Sequence, residues 1–201
     1  MMQRELAGYG WIGRWSPEIG DPTPIAWLTV ALYALCAWQC YRLATRHAAQ
    51  LGRSEATLWW ILALGLAALG VNKQLDLQTA LTEFGRIVAH QDGWYERRRA
   101  VQVVFIYAVA AIAGCAALAM AYLARAAPFA TMAAIAGSVG LLAFVAIRAA
   151  SFHHFDRFID SAYFGLRANW ILEIGGICII LFGARRRWRG FRASAAGASP
   201  A

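Results

Sequence analysis

The chain has 201 residues, 60% of them apolar and only 15% charged. An ordinary soluble domain holds about 45–50% apolar and about 25% charged residues. The composition therefore excludes an ordinary water-soluble globule, and it excludes disorder, which needs few apolar residues and many charges. The net charge is +8, and beside so apolar a chain it points to lipid headgroups rather than to nucleic acid.

Residues 1–23 hold Gly, Pro, Trp11, Trp15 and three acids. They lack the basic start and short apolar core of a signal peptide. They read as an interfacial N-terminal arm.

Five apolar segments follow, at 24–43, 56–71, 100–123, 129–147 and 168–183. A helix that crosses a bilayer needs roughly 17–25 mainly apolar residues. The first, third and fourth segments meet this. The second and fifth fall slightly short, so each must bring polar residues to the membrane surface. The pattern predicts an all-α polytopic transmembrane helix bundle of about five spans over 24–184, with a basic, disordered tail at 185–201. Trp27, Trp38, Trp59, Trp60, Trp94, Trp170 and Trp188 fall near the span ends, as in an aromatic belt.

The turn Arg125, Ala126, Ala127, Pro128 makes segments three and four a tight antiparallel hairpin. Small residues crowd segment three and permit close helix packing there. Cys36, Cys40, Cys115 and Cys178 all lie in apolar runs and read as free thiols. The compact run Arg185, Arg186, Arg187 and Arg189 favours a cytoplasmic carboxyl terminus.

After Val71 the chain reads NKQLDLQTALTEFGRIVAHQDG. Lys73, Asp76, Thr79, Glu83, Arg86 and His90 share one helical stripe. Leu77, Leu81, Phe84 and Val88 share another. This predicts an amphipathic extension of the second span over 72–92. It either continues out of the membrane or bends along its surface, with Gly70 as the candidate bend point.

With five spans, the connections after segments two and four lie on the same membrane side. The second of these connections begins at Arg148 and carries Ser151, His153, His154 and Asp156. Asn169 and Glu173 then open segment five. A carboxylate inside a span is costly and usually faces a bundle interior or cavity. The opposite side shows His47, scattered charges and the arginine run, with no comparable mix of acids and histidines.

One reading of the cluster is a membrane-embedded hydrolase acting on a lipid or another amphiphile. A divalent metal such as Zn²⁺ takes His nitrogen and carboxylate oxygen. Asp76, His154 and Glu173 are the candidate ligands, with Glu83, Ser151 and His153 as catalytic groups. Lys73, Arg97, Arg98, Arg99, Arg148 and Asn169 would hold the substrate. Heme fits poorly, because His90 and His154 do not form a facing pair inside the membrane. The bland reading pairs Lys73 with Asp76, Glu83 with Arg86, and Glu173 with Arg148. It makes the chain a non-catalytic membrane subunit or assembly factor, with a membrane-protein partner or a second copy of itself. A third reading is a small proton-linked transporter.

At Asn72-Lys-Gln-Leu-Asp-Leu-Gln78, Gly93-Trp-Tyr-Glu-Arg-Arg-Arg99 and Arg148-Ala-Ala-Ser-Phe-His-His-Phe-Asp156, the chain resembles a family of bacterial inner-membrane proteins. The resemblance covers nearly the whole chain. It implies a small multi-pass protein of the bacterial inner (plasma) membrane and implies no particular reaction. A looser similarity is to membrane hydrolases of the alkaline ceramidase and progestin-receptor type, which place Ser, Asp and His around zinc near one membrane face. Ser151, His154 and Asp76 match that set in residue type.

Overall fold

The structure is a computed structural model. It describes residues 10–91, 98–123, 125–150, 162–163 and 166–197. The fold is helical. Its one ladder of extended strands among these residues is a two-residue pairing of β1 (Ala162–Tyr163) with β2 (Leu166–Arg167).

Helix α1 is Pro24–Arg46. Its start is written locally. Thr23 accepts a hydrogen bond from the Ala26 amide, and Pro24 takes the first helical position, where a missing N–H costs nothing. Asp21 accepts from both the amide and the hydroxyl of Thr23, which holds the cap in place. A single helical turn, α2 (Ala48–Leu51), leads to Gly52, whose φ of 74° suits glycine. Helix α3 (Arg53–Leu75) then returns antiparallel to α1. Both α1 and α3 have 23 residues and are long and apolar enough to cross a membrane. At roughly 1.5 Å per residue, 23 residues reach about 35 Å, beyond a bilayer core of about 30 Å.

The polar extension is a separate helix, α4 (Leu77–Gln91). The chain bends at Asp76, which adopts a left-handed φ of 46°, and not at Gly70. An aspartate tolerates this conformation because its short polar side chain bonds locally, and here Asp76 accepts from the Thr79 hydroxyl at 2.6 Å. Gly70 instead lets α3 press onto α1: a Cβ there would sit 3.1 Å from that of Tyr33.

Helix α5 (Arg98–Leu123) and helix α6 (Phe129–Ala150) form the expected hairpin. Their described apolar stretches, Tyr107–Leu123 and Phe129–Val145, are shorter than those of α1 and α3. Helix α7 runs from Ala168 to Gly197. The arginine run is therefore helical, where the sequence leads one to expect a disordered tail. A helix that is already nucleated in a bundle extends cheaply through good helix formers such as arginine and alanine.

The main packing pairs are α1 with α3 and α6 with α7, and α1 against α7 joins the two halves. The core holds Tyr33, Cys36 and Cys40 of α1, Leu58, Trp59 and Leu62 of α3, and Ile177 and Ile180 of α7. Trp59 is fully buried here and is not a belt residue. Glycines bring α6 and α7 into close backbone contact. A Cβ on Gly137 would lie 2.9 Å from the Gly176 carbonyl, whereas Gly114 of α5 faces open space. All four cysteines are free.

Candidate functional site

Three carboxylates are buried among the described residues: Glu55, Glu83 and Glu173, at 7%, 8% and 5% exposure. Each is held by a cation.

Glu173 lies near the start of α7. Its Oε2 accepts from the Lys73 ammonium at 2.8 Å, and its Oε1 accepts from the Tyr33 hydroxyl at 3.1 Å. The site thus joins α1, α3 and α7. Lys73 pairs with Glu173, 100 residues away, and not with its neighbour Asp76. The reason is position: Lys73 is still in the last turn of α3, while Asp76 has already turned out into solvent. The ammonium and the carboxylate are both largely removed from solvent, so each is the other's least costly counter-charge.

Glu83 of α4 meets the N-terminal arm. Its Oε1 pairs with Arg86 at 3.0 Å, as the three-residue spacing predicts. Its Oε2 accepts weakly from the Arg14 amide at 3.4 Å. Gly13, at φ 59°, lies directly against this carboxylate. Further along, the Gly20 amide donates to the Gln74 carbonyl at 2.7 Å, and the Trp15 indole donates to the Leu75 carbonyl at 3.0 Å. The bend at Asp76 ends the helix and leaves those carbonyls without helical partners. The arm supplies them.

The third network was missed by sequence reasoning, and it sits at the opposite end. Glu55 opens α3. Its two oxygens accept from Nε and Nη2 of Arg187 at 2.9 Å each. Glu55 also accepts from the Thr131 hydroxyl of α6 and, at 3.4 Å, from the Trp59 indole. Around it, Arg187 stacks over Phe191 at 4.3 Å and Arg42 over Trp188 at 4.4 Å. His47 stacks on Phe191 at 4.5 Å and meets Trp188 edge-on. A lone acid in the first turn of a span is a weak sequence signal, because it also reads as ordinary helix-dipole compensation. Nothing in the spacing ties it to Arg187.

The candidate ligands do not all fall in the described region. Asp76 is exposed and bonded to Thr79, and Glu173 is taken by Lys73 and Tyr33. Ser151, His153, His154 and Arg97 lie outside the described residues, as do the side chains of Arg98, Arg99, Arg148 and Asn169. Among the described residues, no group of three His, Cys, Asp or Glu is placed to hold a metal ion, and this includes Cys36 with Cys40. The geometry can lock helices together through charge. No protein-family model, curated protein or solved structure matches the chain.

Proposed function

We propose that the chain is a five-span, multi-pass protein of a bacterial inner membrane, acting as a non-catalytic membrane subunit or assembly factor. The observation that carries the functional part is the pairing of Glu55, Glu83 and Glu173 with Arg187, Arg86 and Lys73. A metal ligand or general base needs a carboxylate that is free to take an ion or a proton. These three are committed to cations, two of them across helices.

Two features support the membrane part. Helices α1 and α3 are long enough to cross, and each turns an exposed apolar face outward. The outward residues include Leu28, Leu35, Ile61 and Leu64, and on α5 Ile112 and Leu118. Soluble monomers rarely expose so continuous an apolar surface. Helix α4 fits the membrane surface: Leu77, Leu81 and Phe84 are exposed on one side, while Glu83 faces the arm on another.

The test is extraction in mild detergent, followed by mass measurement of the intact particle. The expected result is a stable co-purifying partner that is lost when Arg97, Arg98 and Arg99 are changed to Ala. A particle containing stoichiometric zinc, with lipid hydrolysis abolished by chelator, would overturn the reading in favour of the hydrolase. Proton-coupled flux into liposomes that disappears in Glu173→Gln would overturn it in favour of the transporter.

A further inference from the structure

The arginine run at 185–189 is split by the helix. Arg187 turns inward to Glu55, and Trp188 packs on Arg42 and His47. Arg185, Arg186 and Arg189 face the other way, and all three are exposed. They rim a groove of about 460 Å³ whose lower wall is Cys178, Leu181 and Phe182. Arg186 also reaches over the Phe129 ring at 5.4 Å, at the start of α6.

Among the described residues, neither Arg185 nor Arg189 has an acidic partner. They are four apart on a helix, a spacing at which like charges repel. The same spacing suits one anion held between two guanidinium forks. Phosphate matches that fork geometry, and arginine binds it by paired N–H donors. Directly below, toward the middle of the helix, the groove is apolar. A soluble phosphate would leave that half of the groove unused, whereas an acyl chain fills it.

We propose that this groove binds an anionic phospholipid, with the phosphate between Arg185 and Arg189 and the upper acyl chain along Leu181, Phe182 and Cys178. The proposal rests on the membrane reading above. It places the lipid on the outer face of α7, on the opposite side of that helix from the Glu55–Arg187 pair. Arg187 therefore belongs to the fold, and Arg185 and Arg189 to the ligand.

The test uses the full chain, purified in detergent and delipidated, with native mass spectrometry of retained lipid. The probes are phosphatidylglycerol and phosphatidylcholine with the same acyl chains. The wild-type chain is expected to retain phosphatidylglycerol about tenfold better, the scale of one charge-assisted pair. The double change Arg185→Gln and Arg189→Gln should abolish the preference, and Arg125→Gln should leave it intact. Circular dichroism of the double variant should be unchanged, since Glu55 keeps Arg187. If the double variant misfolds, Phe182→Gln serves instead and should weaken retention of both lipids. An undiminished preference in the folded double variant overturns the proposal. So does competition by inorganic phosphate as strong as that by intact lipid. Recovery of the chain in the soluble fraction after a carbonate wash is a separate result, and it overturns the membrane reading.

Discussion

Arg187 and Glu55 stand 132 residues apart in sequence and meet through two hydrogen bonds of 2.9 Å. The pair ties the start of α3 to a point two-thirds of the way along α7, and Thr131 brings in α6. One carboxylate therefore fixes three helices at one end of the bundle. At the other end Glu173 does the same for α1, α3 and α7.

Removing one member of the first pair leaves the other with no counter-charge in a largely buried setting. Glu55→Ala should destabilise the bundle by about 3 kcal/mol, in line with broken buried pairs. Replacing both partners, as Glu55→Met with Arg187→Met, should cost much less, because no uncompensated charge remains. Unfolding by sodium dodecyl sulfate, followed by circular dichroism, reads the difference. Equal losses in the single and double variants would mean the pair is not coupled.

The second network separates a charge from a neutral bond. Lys73→Met strands the Glu173 carboxylate and should cost about 3 kcal/mol. Tyr33→Phe removes one hydrogen bond to the same carboxylate and should cost about 1 kcal/mol. The same unfolding assay ranks them. A larger loss in Tyr33→Phe would contradict the assignment of Lys73 as the neutralising group.

Two glycines predict opposite outcomes. Gly137→Leu drives a side chain into the Gly176 carbonyl at the α6–α7 contact and should cost roughly 1–3 kcal/mol by overpacking. Gly114→Leu on α5 meets nothing within 4 Å and should be neutral or slightly stabilising, since glycine is a poor helix former. Thermal unfolding in detergent distinguishes them.

The bend at Asp76 depends on a left-handed backbone and a hydrogen bond from Thr79. Asp76→Ala loses the bond and keeps the strain, and should cost about 1 kcal/mol. Asp76→Gly relieves the strain and should recover part of that loss. If Asp76 instead held a metal, both changes would lower the bound metal equally, which elemental analysis would detect.

Helix α4 lies at the membrane surface under the proposed reading. A single-tryptophan variant bearing Phe84→Trp should be quenched by lipids brominated high on the acyl chain. Little or no quenching would place that face in water.

Local features were legible in the chain itself. The first apolar segment begins at residue 24, where α1 begins, and the Arg125–Pro128 stretch marks the α5–α6 turn. The Glu83–Arg86 pair follows from helical spacing. In the sequence Gly70 is the candidate bend point because glycine is the commoner breaker. Here its small size serves contact with Tyr33, and the break falls to an aspartate that a hydroxyl can satisfy. Trp59 was misread as a belt residue because an indole near a span end usually reaches the interface. Glu55 one turn earlier gives its N–H a partner inside the bundle.

The sequence alone determined the helical class, the apolar outer surface and the cost of every carboxylate placed within it. Those follow from composition and local periodicity, which need no partner to be read. Which cation neutralises which acid is set by helix packing. Lys73 reaches Glu173 and Arg187 reaches Glu55 because α7 packs against α1 and α6, which brings it within side-chain reach of both ends of α3. A charge buried in a bundle is paired by proximity in space, and that proximity is set by how helices pack, not by how far apart they lie along the chain.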